Sequence, residues 1–108
     1  MISVKLRATD RPVTIRSFAH KGLKRLYAED VIKGVPTDTV AKLRKMFAYL
    51  DEMVDEEELR ALVSWKAHIL KGGRRGTWSL SVTGNLRLTF QIDSAAQEIF
   101  DVDLEDYH

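Results

Sequence analysis

The last three residues of the 108-residue sequence, Asp106-Tyr107-His108, combine a carboxylate, a phenol and an imidazole. They follow an apolar, strand-like run over residues 99–102, which could hold them in fixed positions against a sheet. A second imidazole, His68, lies upstream in a segment that also contains several lysines and arginines. Two imidazoles, a carboxylate and several cations are the groups that metal-free cleavage of a phosphodiester needs.

RNA cleavage by its own 2′-hydroxyl requires a base, cations that stabilise the phosphate, and an acid for the leaving oxygen. Histidine can serve as base or acid because its ordinary pKa, about 6.5, leaves both protonation states populated at neutral pH. A lone histidine on a strand is more often structural, but Arg87 on the same predicted face as His68, and Lys71 at a glycine-rich turn, could hold a phosphate. Asp106 precedes His108 by two residues in the sequence, and its negative charge should favour the imidazolium form of His108. Which histidine is the base stays open.

Other chemistries fit the sequence less well. The histidines at positions 20, 68 and 108 form no closely spaced ligand pair, so we expect neither a metal nor a cofactor, and His20 is expected to be an exposed helix residue. The chain has no cysteine, which suits a reducing compartment. No apolar run approaches the roughly 20 residues of a membrane span, and the N-terminus lacks the pattern of a signal peptide. We therefore expect a cytoplasmic protein without membrane contacts.

Charge is segregated along the chain, although the net charge is only +1. Residues 1–50 carry eleven Lys and Arg against four Asp and Glu, and residues 51–59 carry six acids and no base. Residues 60–92 then carry six bases and no acid, and residues 93–108 carry six acids and no base. A run of 33 residues without a carboxylate predicts a local binding surface for a polyanion, unless it is a chance run on a solvated face.

Helical periodicity in the first half gives way to strand alternation in the second. We predict a first helix from an N-cap at Ser17 to the break at residues 34–36, a second over residues 40–54 capped by Thr37 or Asp38, and a short third over residues 55–62. Strands are predicted at residues 64–69, 78–82, 86–92 and about 98–102. This order predicts one α+β domain over residues 1–108, with two main helices packed on a twisted antiparallel sheet.

Alternation also assigns the two faces of the predicted sheet. Trp65, Trp78 and Phe90 could stack on bases, but they fall in phase with the aliphatic residues of their strands, which favours a place in the core. The opposite face should then be open, and function is expected there. This open face would carry His68, Ser79, Ser81, Arg87 and Thr89.

Five segments, taken in order, resemble the HigB toxins of the RelE superfamily. They are residues 17–24, 68–72, 76–82, 84–90 and 103–108, and the likeness extends over about residues 14–108. The most specific part is the final Asp-Tyr-His. Ile69 stands where the family commonly has proline, and Thr77 and Leu86 stand where aromatic residues are common. Residues 1–13 are additional to the pattern and are expected to form an N-terminal extension, which could be an extra edge strand.

The resemblance implies the toxin of a type II toxin–antitoxin system, a ribosome-dependent and metal-independent endoribonuclease that cleaves messenger RNA and so inhibits translation. Its implied partners are a HigA-like helix-turn-helix antitoxin, the ribosome with its ribosomal RNA, and messenger RNA; DNA would be contacted only through the antitoxin. Carried over by motif, the catalytic residues would be His68, Lys71, Arg87, Asp106, Tyr107 and His108. We expect further RNA contacts from Lys66, Arg74, Arg75 and Asn85.

Two alternatives remain at this point. The chain could be a module that binds RNA or the ribosome without cutting, in which case binding would survive loss of both histidines. It could also be a superfamily toxin that acts on a protein target such as gyrase, because fold alone does not fix function. Such a toxin would not need the terminal Asp-Tyr-His.

Overall fold

The computed structural model describes residues 12–74 and 76–106, and every structural statement below refers to these ranges. Their strands form a five-stranded sheet with the order β1-β5-β4-β3-β2. The strands are β1 (Thr14–Ile15), β2 (His68–Ile69), β3 (Thr77–Ser81), β4 (Leu86–Asp93) and β5 (Glu98–Asp106). The helices are α1 (Lys21–Glu29), α2 (Val40–Glu52) and α3 (Glu57–Arg60), with short 3-10 turns at Thr37–Thr39, Val63–Trp65 and Gly72–Arg74. The predicted α+β class is confirmed.

Helix α1 is shorter than predicted at both ends. It begins after His20, because the His20 imidazole accepts a hydrogen bond from the backbone N–H of Leu23 at 3.1 Å, so the predicted cap at Ser17 is wrong. It ends at Glu29, where Asp30 adopts a left-handed conformation with φ 58° and its N–H bonds to the preceding turn. His20 is thus a half-buried capping residue and not an exposed helix residue.

The predictions for α2 and α3 are close to the observed helices. Helix α2 buries the apolar stripe that the periodicity indicated, including Leu43, Phe47 and Leu50. Helix α3 has Glu57 and Glu58 in its first turn, as expected from the helix dipole, but it ends at Arg60 and not at residue 62. Within the described ranges, no helix is both long and apolar enough to cross a membrane.

The predicted antiparallel strands pair as expected, and the sheet is mixed because a further strand at one edge runs parallel. Strands β2 to β5 pair antiparallel, whereas β1 runs parallel to β5 with Thr14 opposite Glu98. Backbone bonds from the N–H of Thr14 to the carbonyl of Gln97, and from Arg16 to Ile99, hold this edge. The predicted extension at residues 1–13 lies outside the described residues except for Pro12 and the buried Val13.

Two strands differ in length from their predictions. Residues 64–67 are not extended, because Val63–Trp65 forms a 3-10 turn and Lys66 takes a left-handed conformation with φ 52°. Strand β2 is therefore reduced to His68–Ile69. Strand β5 continues to Asp106, four residues beyond the predicted end at about residue 102. The longer β5 forms part of the floor of the site described below.

The core face of the sheet follows the predicted alternation. Trp78, Leu80, Leu88 and Phe90 are each at most 1% exposed and lie in one cluster with the apolar residues of α1 and α2. The Trp78 indole N–H also donates to a Glu56 carboxylate oxygen at 3.1 Å. The placement of Trp78 and Phe90 in the core, and not on an RNA-facing surface, is confirmed.

Candidate active site

The open face of the sheet aligns four polar residues across strands β2 to β5. His68 pairs with Ser79, Ser79 with Thr89, and Thr89 with Asp103. Paired residues of antiparallel strands point to the same face, so these side chains form one row. Arg87 lies two residues from Thr89 on β4 and shares this face, as the sequence predicted.

A cavity of about 160 Å³, named here the His68 cavity, opens on this face. It contains one imidazole, two guanidinium groups and two carboxylates. Its lining residues are His68, Leu70, Arg74, Ser79, Arg87, Thr89, Glu105 and Asp106. The structure thus brings together four of the residues that the sequence singled out, namely His68, Arg74, Arg87 and Asp106.

The imidazole of His68 is oriented by the backbone. Its Nδ1 lies 2.9 Å from the carbonyl oxygen of Lys66, the residue in the left-handed conformation. A carbonyl oxygen can only accept a hydrogen bond, so Nδ1 carries the proton and donates it. In the neutral ring the lone pair is then on Nε2, which makes Nε2 the atom that can accept a proton from a substrate.

Arg87 is held against the floor of the cavity. Its Nη1 donates to the hydroxyl of Ser79 at 3.3 Å, and Ser79 is fully buried between its neighbouring strands. A guanidinium fixed in this way presents a planar set of donors suited to a phosphate.

The second guanidinium is paired within the protein. Arg74 donates from Nη1 and Nη2 to the two carboxylate oxygens of Glu105, at 2.7 and 2.6 Å, and Glu105 also accepts a hydrogen bond from the Thr89 hydroxyl. The hydrogen bonds from Arg74 are the main reason that the pKa of Glu105 is lowered, with burial opposing and Thr89 assisting. The same pair raises the pKa of Arg74. The charge of Arg74 is therefore largely compensated before any RNA binds.

Sequence reasoning missed Glu105 because a bulge interrupts β5. Asp101 has φ 55° and the register shifts between Thr89 and Gln91, so Ile99 and Val102 are both fully buried although they are three residues apart. The alternation of buried and exposed residues is interrupted at this bulge, and for that reason the predicted strand ended at about residue 102. The one available signal was Leu104, which resumes the apolar alternation after Val102 and assigns Glu105 to the open face.

The remaining predicted site residues lie elsewhere. Lys66 and Lys71 are exposed and do not line the His68 cavity; Lys71 directly precedes the turn Gly72–Arg74. Asn85 lines a different cavity of about 470 Å³, which also reaches Asp106. Within residues 12–74 and 76–106, no three His, Asp or Glu side chains form a potential metal site. Three of the predicted residues, Arg75, Tyr107 and His108, lie outside the described residues.

We expect Glu105→Gln to destabilise the protein at neutral pH and much less in acid. A carboxyl group with a lowered folded-state pKa contributes stability above its unfolded pKa, and this contribution is lost as the pH falls through the folded pKa. A bidentate pair of this kind is worth about 1 kcal/mol, or roughly 4–8 °C in melting temperature for a chain of this size. Thermal melts at about pH 7 and about pH 3 would measure it. Glu57→Gln, at an exposed pair with Arg60, is the matched control, and a melting difference independent of pH would contradict the prediction.

Solved structures share this fold. A chain of the toxin–antitoxin complex RelBE2 from Mycobacterium tuberculosis superposes with a TM-score of 0.55 at 18% identity, covering 89% of this chain and 92% of that one. The YoeB/ParE toxin from Agrobacterium tumefaciens gives 0.54 at 17% identity, covering 91% of this chain and 98% of that one. The chain therefore shares its overall fold with both of these solved chains.

Sequence similarity narrows this class to one family. Residues 16–108 match the family of RelE-like toxins of the type II toxin–antitoxin system HigB. An endoribonuclease HigB from Proteus vulgaris is 38% identical over 94 residues, which cover 87% of this chain and 99% of that protein. The chain belongs to the HigB-like toxin family, which confirms the resemblance found in the sequence. As a toxin of a toxin–antitoxin system, it has an antitoxin as its partner.

Proposed function

We propose that this HigB-like toxin is an endoribonuclease that cleaves messenger RNA on translating ribosomes in the cytoplasm and so inhibits translation. The observation that carries the proposal is the His68 cavity, where an imidazole with Nε2 available as proton acceptor shares a small space with the guanidinium of Arg87. The endoribonuclease from Proteus vulgaris, at 38% identity, supports the same reaction class. These groups suit attack by the substrate's own 2′-hydroxyl.

The reaction would proceed by in-line transfer at phosphorus. His68 Nε2 takes the proton of the 2′-hydroxyl, the 2′-oxygen forms a bond to phosphorus, and the bond from phosphorus to the 5′-oxygen breaks. Arg87, with Lys71 from the adjacent loop, stabilises the charge that grows on the phosphate oxygens. His108 is proposed to protonate the leaving oxygen, with Asp106 orienting it and Tyr107 contacting a base or the backbone. The products are a 2′,3′-cyclic phosphate and a 5′-hydroxyl.

Binding to the ribosome is assigned to the basic segment around the cavity. Lys66 is exposed beside His68, and Arg75 and Asn85 complete the expected RNA contacts. Exposed cations of this kind contribute sequence-independent affinity for phosphates. The antitoxin is proposed to be a HigA-like helix-turn-helix protein, so that the toxin meets DNA only through that partner.

A single 2′-deoxy substitution tests the proposed function. Ribosomes carrying a message with deoxyribose at the cut site should give no cleavage, because the attacking oxygen is missing. The same substitution two nucleotides away is the matched control and should leave the rate unchanged. The unmodified message should yield a 2′,3′-cyclic phosphate and should be cut only when ribosomes are present. Cleavage of the deoxy message would indicate attack by water and would refute the mechanism.

A further inference from the structure

The turn that precedes strand β2 is closed by two backbone hydrogen bonds. The N–H of Lys66 bonds to the carbonyl of Val63 at 3.0 Å, and the N–H of Ala67 bonds to the carbonyl of Leu62 at 3.4 Å. These two bonds, with Lys66 in the left-handed conformation, form the Schellman motif that ends many helices. Leu62 and Ala67, which the motif brings together, are both half-buried against the core. The turn over residues 62–67 is named here the Lys66 turn.

The Lys66 turn is anchored on helix α2 by an aromatic contact. The ring of Trp65 meets the ring of Tyr49 edge-on, with the centroids 5.7 Å apart and the planes at 74°. The Tyr49 hydroxyl donates a hydrogen bond to the carbonyl oxygen of Glu58 at 2.8 Å, which holds this second ring in place. The turn is therefore tied to the packed helical layer, although Lys66 itself is exposed.

The carbonyl of Lys66 is the part of the turn that reaches the candidate site. In the left-handed conformation, with φ 52° and ψ 44°, Lys66 presents this carbonyl to His68 Nδ1 at 2.9 Å. Pairing with Ser79 in the sheet fixes the backbone of His68 but not its exposed ring. A neutral histidine can carry its proton on either ring nitrogen, and the hydrogen bond at one nitrogen decides which. The orientation and the tautomer of the ring thus depend on where the Lys66 carbonyl points.

We propose that Lys66 is a positioning residue, whose left-handed backbone fixes the orientation and the tautomer of His68 and so leaves Nε2 as the atom that accepts a proton. This inference rests on the proposed function and deepens it. A residue with a Cβ is disfavoured in the left-handed region, so the conformation persists because the Lys66 turn imposes it. Glycine would adopt this conformation with less strain, but it would not place an exposed cation beside His68.

A turn that only ends a helix is the competing interpretation, because a left-handed residue also ends α1. Asp30 has φ 58°, and its N–H bonds to the preceding turn of that helix. At Lys66, however, closing the turn uses the N–H groups of Lys66 and Ala67, and the Lys66 carbonyl bonds to the imidazole instead. Asp30 therefore offers a control position with the same backbone conformation outside the His68 cavity.

Substitutions at residue 66 that differ in their access to the left-handed region test the proposal in the full-length toxin. Lys66→Gly, Lys66→Val and Lys66→Pro all remove the same charge, so the glycine variant is the baseline for the other two. Glycine enters the left-handed region freely, valine rarely does, and proline cannot because its φ is fixed at about −65°. Nitrogen-15 NMR of the His68 ring in alkaline buffer, where histidine side chains are neutral, reports the tautomer. The proton should lie on Nδ1 in the wild type, and the share of this tautomer should fall from glycine to valine to proline.

Single-turnover cleavage of ribosome-bound message should follow the same order. Lys66→Val should cleave about tenfold more slowly than Lys66→Gly, a factor set by the usual penalty on a left-handed residue with a Cβ. Asp30→Val and Asp30→Gly are the matched controls. Valine should lower the melting temperature at both positions, but the cleavage rates of the two Asp30 variants should agree within about twofold. If melting curves show that Lys66→Pro does not fold, the valine variant alone decides.

The outcomes separate this inference from the proposed function. A wild-type His68 with its proton on Nε2 would overturn the positioning role, and so would a folded valine or proline variant that keeps the tautomer or the rate of Lys66→Gly. An equal loss of rate in Lys66→Val and Asp30→Val would assign the effect to general destabilisation and would overturn it as well. Tautomers in the expected order, in a toxin that does not cut messages on ribosomes, would refute the proposed function and retain the positioning of the ring by Lys66.

Discussion

His68→Gln is expected to slow cleavage of ribosome-bound message by about 10²–10⁴-fold, the usual contribution of a general base. Glutamine is polar and can still donate a hydrogen bond to the Lys66 carbonyl, which now orients the ring at 2.9 Å, but its amide cannot take up a proton. The substitution should therefore lower the rate of the chemical step and leave the affinity for the ribosome nearly unchanged. Single-turnover rates with saturating toxin measure this step directly.

The pH dependence of the same rates distinguishes a base from a residue that only shapes the cavity. The wild-type rate should fall in acid as the base becomes protonated, and this limb of the profile should disappear in His68→Gln. His20→Asn is the matched control, because asparagine is a good helix N-cap and the substitution removes an imidazole that does not line the His68 cavity. A His68→Gln rate within threefold of wild type, with an unchanged profile, would refute the assignment.

The parts of the fold that the sequence predicted well are those in which periodicity reports burial. The stripe of α2 and the alternation of β3 and β4 repeat many times, so one irregular residue does not obscure them. Strand β1 has only two residues, and its parallel pairing with β5 depends on the tertiary arrangement. A pattern of period two cannot be recognised in a segment of that length.

The sequence predicted several residues that line the site, but it predicted their arrangement in space less well. His68 and Arg87 were assigned to one face because both lie on alternating segments, and the register confirms that face. The parts of the site geometry that the sequence did not predict depend on single residues in the left-handed conformation. Lys66 shortens β2 and aims its carbonyl at His68, and Asp101 shifts the phase of β5. Neither residue is glycine, and only Asp101 is of a residue type enriched in the left-handed region, so the local signal in the sequence is weak.

Charge counted along the sequence also gave an incomplete picture of the site. The run of 33 residues without a carboxylate predicted a local binding surface for a polyanion. In the folded chain, Glu105 from the acidic C-terminal segment enters this surface and neutralises Arg74, while Arg60 pairs with Glu57 and lies over the Trp78 ring. Fewer cationic groups therefore lie near the reaction than the count along the sequence suggests. Among them, Arg87 is held on the floor of the His68 cavity.

Arg87→Ala is accordingly expected to slow the cleavage of bound message by about 10²–10³-fold, equivalent to roughly 2.7–4 kcal/mol of lost transition-state stabilisation. Ribosome affinity should change little, because other exposed cations can sustain docking. Arg87→Lys should recover only part of the rate, since a lysine cannot present the planar pair of donors that a phosphate accepts. Single-turnover cleavage and equilibrium ribosome binding, measured on the same variants, separate the two effects.

Arg44→Ala provides the matched control for the loss of charge. Arg44 lies on α2, where it pairs with Asp30 at 2.6 Å and does not line the His68 cavity, so its removal should leave the cleavage rate within about twofold of wild type. If the two alanine variants cleave at the same rate once bound, the positive charge of Arg87 acts only in docking. Stabilisation of the transition state would then have to come from Lys71 and from residues outside the described ranges. A selective loss in Arg87→Ala would instead tie the chemistry to the guanidinium that Ser79 holds in the cavity.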